Sequence, residues 1–156
     1  MISTGIHIIE FKESLSLHFK KLNVDWLQKY FVVEPIDEKM LGNPKHFIID
    51  KGGYVFFAET DGIIVGTFAL MKANEGTFEL GKMAVDEQFQ GLKIGHKMLQ
   101  FAIRKAEELS ARKLILFSNT KLGPALHLYK KFGFIEVPLV DSEYKRSNIK
   151  MEKQLL

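Results

Sequence analysis

The stretch VDEQFQGLKIGHKML, Val85 to Leu99, decides how the chain is read. A strand-like run ends where it begins. A helical pattern follows it, with Met98, Leu99, Ala102, Ile103, Ala106 and Leu109 at three- and four-residue steps. Between the two lie Gln90, Gly91, Leu92, Lys93, Ile94, Gly95 and His96. A strand that enters a helix through such a turn exposes backbone N–H groups with no partner inside the helix, and the helix dipole favours negative charge there. A phosphate or pyrophosphate fits this place. Gly91 and Gly95 let oxygens approach the backbone with no Cβ in the way, and Lys93 adds a mobile positive charge. The turn is not a Walker loop, because no Gly-Lys-Ser/Thr follows, and it is not the dinucleotide fingerprint G-x-G-x-x-G. Taken alone it is equally a structural turn, so its neighbours decide.

The strand before it, GTFELGKMAV, slips in phase. Phe78 and Leu80 alternate in one phase and Met83 and Val85 in the other. A one-residue slip around Gly81 and Lys82 predicts a β-bulge, which leaves backbone groups unpaired. A strand covered on both faces is the alternative. Downstream, NTKLGPALHLYKKFGF sets Ala125, Leu128, Tyr129 and Phe132 at helical spacing. Tyr129 is either a core tyrosine with its hydroxyl at the rim or a proton donor facing a cleft.

ELGKMAV, QFQGLKIG and ALHLYKKFGF, in that order, resemble the GNAT superfamily of N-acetyltransferases, with its acetyl-coenzyme A motif Gln/Arg-x-x-Gly-x-Gly/Ala. Gln88 or Gln90 occupies the first region of the motif and Gly95 its last glycine. Reading from Gln90, the middle glycine falls on Lys93, a departure from the strict pattern. The resemblance runs from about Tyr54 to Phe134; the first fifty residues match it only in layout. It implies a mixed, mostly antiparallel central sheet of about six or seven strands flanked by helices, with a splayed, bulged fourth strand. It implies that pantetheine pairs with the backbone of Met83, Ala84 and Val85, and that the pyrophosphate sits on Gln90 to His96. It further implies that Asn119 contacts the cofactor and that Tyr129 is the general acid reprotonating the coenzyme A thiolate. The reaction it implies is direct acetyl transfer to a primary amine of a small molecule or peptide. Glu79, on the strand beside the acetyl site, is the best carboxylate to take the amine's proton, with an ion-paired or solvated strand glutamate as the other reading. A non-catalytic module that senses acetyl-coenzyme A is the alternative function.

The acceptor side rests on less. Trp26, Tyr30 and Phe31 supply an apolar wall. Glu34, Asp37 and Glu38 attract an ammonium group or are solvated helix ends, and Arg146 holds a substrate carboxylate or is a surface arginine. The five histidines form no pair at ligand spacing with a carboxylate, so no metal is expected.

The remaining chain sets the frame. Ile6 to Phe11 predicts a first strand, and Ser14 a cap for the helix marked by Leu15, Phe19, Leu22, Trp26, Leu27 and Tyr30. VEPIDEKMLGNPKHFI predicts a helical region broken by Pro35, Gly42 and Pro44. Asp61-Gly62 joins two β-rich runs as a hairpin. KLILFSN predicts a strand buried on both faces. Gly123-Pro124 opens a helix that Gly133 ends, and strands follow over 134–139 and 148–155. This reads as one α/β domain over residues 1–156: antiparallel strands first, then a β-α-β crossover. The 156 residues include 22 Lys and Arg against 19 Asp and Glu, a net charge of +3 with the lysines scattered. That spread argues against a nucleic-acid partner, and no apolar run has the length to span a bilayer. With no cysteine there is no disulfide, thiolate metal site or cysteine nucleophile. The N-terminus lacks a signal-peptide pattern, so the expected compartment is the cytoplasm. A homodimer is allowed for.

Overall fold

The Asp61-Gly62 turn closes its hairpin with positive φ at both residues, 51° and 79°, the pair a type I′ turn needs. The structure, a computed structural model, describes residues 5–140 and 142–155. Its strands in chain order are β1 (His7–Glu10), β2 (Tyr54–Thr60), β3 (Ile63–Asn74), β4 (Thr77–Val85), β5 (Lys113–Ser118), β6 (Ile135–Val137) and β7 (Ile149–Gln154). The helices are α1 (Ser16–Tyr30), α2 (Pro35–Gly42), α3 (Ile94–Glu108) and α4 (Gly123–Lys131). The strands form one sheet in the order β1-β2-β3-β4-β5-β7-β6, antiparallel except where β4 meets β5. No helix among the described residues is long and apolar enough to cross a membrane.

Both faces of the sheet are covered, and β2 shows why the chain needs two cores. Val55 and Phe57 join Phe19 and Leu27 of α1 and Leu41 of α2 in one cluster. Phe56 and Ala58 point the other way, into a cluster with Met98, Leu99, Ala102 and Ala106 of α3. Alternate residues of one strand thus serve opposite layers, as the period of two requires. β5 is apolar at Leu114, Ile115 and Leu116, all buried, as its unbroken apolar run predicts.

Several boundaries differ from the sequence reading. Ser14 does not cap α1: a short 3-10 turn, Glu13–Leu15, absorbs it, and the helix begins after Leu15 with no side-chain cap bond. β6 has three residues and stops before Pro138, which has no N–H to donate to a ladder. The broken helical region becomes α2 followed by a π-helical turn, Lys45–Ile49.

The phase slip in β4 is a bulge. Thr67 pairs with Ala84 and Ala69 with Gly81, so Phe68 alone faces Lys82 and Met83. Lys82 takes a left-handed φ of 53°, a conformation that costs a non-glycine residue about 1–2 kcal/mol. Met83 and Val85 are thereby returned to the side of Phe78 and Leu80. Lys82 turns the opposite way, where its Nζ donates to Asp37 Oδ1 at 2.9 Å, with the two side chains 3% and 0% exposed. Asp37 also accepts from both ends of the Arg146 guanidinium, at 2.7 and 3.0 Å. Glu34 joins in: its carboxylate takes the backbone N–H groups of Lys145 and Arg146 at 2.9 and 3.2 Å. It also forms a capping box with Asp37 at the start of α2.

Burial alone would raise the Asp37 pKa, but the bonds from Arg146 and Lys82 outweigh it and hold the carboxyl at about 2. The folded value lies below the unfolded one of about 3.9. The stabilisation is therefore present above about pH 4 and is lost as pH falls toward 2. We predict that Asp37→Ala, which leaves buried Lys82 and half-buried Arg146 without their shared carboxylate, costs about 3–5 kcal/mol at pH 7 in urea denaturation. The gap from wild type should narrow as the pH is lowered below about 4. A cost under about 1 kcal/mol at neutral pH would show that the cations find other partners.

Candidate active site

Beyond Glu79 the strands β4 and β5 part: they pair only at Thr77–Lys113, Phe78–Leu114 and Glu79–Ile115. A cleft of about 250 Å³ opens in the gap. Its walls are the free side of β4 over Leu80–Val85, the end of β5, α4, the inner face of α1 and the segment Tyr144–Ser147. Met83, Ala84 and Val85 all line it, so the backbone past the bulge faces a cleft instead of a neighbouring strand.

The glycine turn stands at one end. The first bond inside α3 runs from Lys97 N–H to the Lys93 carbonyl at 3.1 Å. The N–H groups of Ile94, Gly95 and His96 lie ahead of it and have no carbonyl within the helix. Gln90 and Gly95 line the cleft, whereas Gly91, Leu92, Lys93, Ile94 and His96 do not. Ile94 is buried in the core, His96 meets the Phe132 ring edge-on at 4.8 Å, and Leu92 is exposed. Lys93 precedes the helix with φ 58°, so the lysine itself takes the left-handed conformation that a glycine would adopt there freely. Gly95 is different. A Cβ added to it would meet only Leu128 Cδ2, at 4.0 Å, and its φ is an ordinary one. Neither packing nor backbone strain asks for a glycine there, and the space a side chain would take belongs to the cleft.

Tyr129 and Glu79 line the same cleft from different elements, α4 and β4. Burial pushes the Tyr129 hydroxyl up to about 12, so it keeps its proton throughout the neutral range. Burial also raises the Glu79 carboxyl, to about 7, against the pull of the Lys82 charge and of the Tyr144 hydroxyl. One group therefore holds a proton at neutral pH and the other is poised to accept one. Asn119 lines the cleft too, but its amide is committed: Nδ2 donates to the Arg146 carbonyl at 2.8 Å and Oδ1 accepts from Lys121 N–H at 2.9 Å.

On the far wall Trp26 and Phe31 line the cleft with ring centres 5.6 Å apart. Tyr30 stands behind them, its ring tilted against Trp26 with centres 5.5 Å apart. Lys121 fastens this wall, donating to the Tyr30 carbonyl at 2.6 Å with its Nζ 4.1 Å from the Phe31 ring. Arg146 lines the cleft as well, with its guanidinium already held by Asp37 and Glu34. Glu34 and Asp37 are buried at 7% and 0% exposure, which corrects the view of them as solvated helix ends; Glu38 is exposed. Sequence reasoning missed Lys82 and the central place of Tyr144, whose ring packs against Lys82 at 4.5 Å and Arg146 at 4.7 Å. The signal available for Lys82 was the phase slip itself, which singles out the residue that turns away.

Residues 51–136 match the family model described as Acetyltransferase (GNAT) domain. The chain is 28% identical over 121 residues to an uncharacterized N-acetyltransferase of Schizosaccharomyces pombe, which covers 74% of each chain. Its fold matches an acetyltransferase of the GNAT family from Staphylococcus aureus with a TM-score of 0.86 at 25% identity, over 97% of this chain and all of that one. It also matches a Bacillus subtilis acetyltransferase solved in complex with CoA, with a TM-score of 0.71 at 19% identity, over 97% of this chain and 99% of that one. With the splayed sheet, the bulged β4 and the matching family model, the chain belongs to the GNAT acetyltransferases and is an acyltransferase enzyme.

Proposed function

We propose that the enzyme moves an acetyl group from acetyl-coenzyme A directly to a primary amine of a small molecule or peptide. The observation that carries the reading is that Tyr129 and Glu79 both line the cleft that splits β4 from β5. The residues suit a coenzyme A ester as donor substrate. The N–H groups of Ile94 to His96 offer donors to phosphate oxygens, the Gly95 surface is open, and the free backbone of Met83 to Val85 offers amide partners to a pantetheine arm. The thioester supplies an activated acyl carbon and a thiolate leaving group.

Glu79 takes one proton from the acceptor's ammonium group, which frees the nitrogen lone pair to form the new C–N bond. Tyr129 gives its hydroxyl proton to the sulfur as the C–S bond breaks. The second nitrogen proton leaves through solvent, Glu79 gives up the proton it took by the same route, and the Tyr129 phenolate regains one from solvent. We further propose that this one domain spans residues 1–156, works in the cytoplasm, and takes neither nucleic acid nor membrane as its partner, with a homodimer as one assembly open to it. A sensor that binds coenzyme A without turnover is the competing reading, and it is separated by free thiol release in the presence of an amine panel.

We expect Gly95→Ala to leave the fold intact and its melting temperature equal or slightly higher, since alanine favours the helical backbone over glycine and the Cβ meets no clash. Its affinity for coenzyme A, read by calorimetry, should fall at least about tenfold, or 1.4 kcal/mol. A folded variant with unchanged affinity would remove this end of α3 from the site.

Tyr129→Phe keeps the ring and deletes the proton. Turnover should drop by roughly 10²-fold, a typical size for one acid–base group, with coenzyme A affinity nearly constant. Full activity in a folded variant would leave the leaving thiolate to solvent.

For Glu79, kcat/KM should rise with pH through about 7, and Glu79→Gln should flatten that limb. Stability must move the opposite way. The folded carboxyl binds its proton more tightly than the unfolded one, which titrates near 4.3. Wild type therefore loses stability as pH climbs from about 4.5 to about 7. Melts should show Glu79→Gln gaining on wild type over that window. A gap that does not change with pH would mean that Glu79 is charged throughout.

A further inference from the structure

We infer that the acceptor is a small primary amine with an aromatic or branched apolar body and no carboxylate beside the amine. The inference rests on the reading that this cleft acetylates amines, and it names the class of amine from the charges and surfaces that line the cleft.

Among the described residues lining the cleft, the cationic side chains are Lys82 and Arg146. Both are already paired with carboxylates of the protein. Arg146 Nη1 donates to Glu34 Oε2 at 3.2 Å and to Asp37 Oδ2 at 2.7 Å, and Nη2 donates to Asp37 Oδ1 at 3.0 Å. Lys82 Nζ donates to the same Asp37 oxygen at 2.9 Å. Two carboxylates thus meet two cations, and the Tyr144 ring packs against both cations. Glu79 is the carboxylate left over. A substrate carboxylate entering here would add a negative charge beside Glu79 to two cations that two carboxylates already balance, and an uncompensated charge out of water is costly. An ammonium group meets the reverse situation, because the surplus acid faces it.

The rest of the acceptor has an apolar wall to meet. Trp26 and Phe31, tilted at 43° to one another, stand with Leu27 on the α1 side of the cleft. Lys121 pins the Phe31 end of that wall through the Tyr30 carbonyl and the Phe31 ring. A pre-formed aromatic wall rewards an aromatic or branched body and gives little to a thin polar chain.

The test uses wild-type enzyme, acetyl-coenzyme A and matched acceptors that differ by one carboxylate: tryptamine against tryptophan, and phenethylamine against phenylalanine. Thiol release at about pH 8 should give kcat/KM at least about 10²-fold higher for each decarboxylated member. The amino acids have the less basic amines, so protonation alone would favour them, and the expected preference cannot arise from it. Spermidine, a polycation with no aromatic body, should be poorer than phenethylamine. Trp26→Ala should raise KM for phenethylamine at least about fivefold with kcat little changed, the mark of lost uniform binding. Equal or better rates with the amino acids, or a preference for spermidine, would overturn the inference while leaving amine acetylation in place. Thiol release that no amine in a broad panel can stimulate would overturn the acetyltransferase reading, and this inference with it.

Discussion

The buried bond between Lys82 and Asp37 is the constraint on which the site depends. As a source of stability such a pair is poor, because taking two charges out of water costs nearly as much as their attraction returns. Its effect here is geometric. This bulge puts a residue in the left-handed conformation, and β4 supplies a lysine there at φ 53° where a glycine would be easier. A glycine could not reach α2. The lysine holds the bulge against Asp37 from inside, and Asp37 holds Arg146 from the other end of the chain. Three segments far apart in sequence meet at one carboxylate, and the turn of β4 into the cleft is set by that meeting.

The same neighbourhood drives two carboxylates in opposite directions. Asp37 has lysine and arginine donors bonded directly to it and titrates at about 2. Glu79 is desolvated in the same way, but the cations that would steady it are already engaged by Asp37, and it rises to about 7. Pairs of acids pushed apart by their surroundings are how one fold obtains a fixed charge and a proton acceptor from the same chemical group. The saturated pair builds the wall, and the unsaturated one is left for chemistry.

What could be read ahead of the structure was local or periodic. Asp61-Gly62 names its turn because few residues accept two positive φ values in succession. The slip between Leu80 and Met83 names a bulge because the side-chain period of a strand is two. Ser14 misled because one residue's capping preference was weighed without the 3-10 turn that absorbs it, whereas the strand expected over 134–139 passed over Pro138, whose own missing N–H ends β6. The charge network lay beyond such reading. Glu34, Asp37, Lys82 and Arg146 look like surface residues in a mixed charge pattern, and only the return of residues 144–147 against α2 removes them from water. A long-range pairing leaves no period behind.

The placing of Tyr129 shows a local motif doing long-range service. Gly133 follows α4 with φ 95°, its N–H donating to the Lys130 carbonyl at 3.0 Å, and the next N–H, of Phe134, donates to the Tyr129 carbonyl at 3.0 Å. This is the paired bonding of a Schellman cap, which usually brings the residue after the glycine against the helix residue it bonds. Here those two residues are Phe134 and Tyr129, with ring centres 5.9 Å apart. Phe134 is buried in the core. The tyrosine is therefore held at its backbone by the cap and at its ring by the capping residue's own side chain, so little freedom remains for the hydroxyl. The proton-donor role proposed for Tyr129 would draw on that restraint, because each rotamer a donor can escape to dilutes the productive one. The short run YKKFGF, legible as the end of a helix, also fixes where the Tyr129 ring stands beside the cleft.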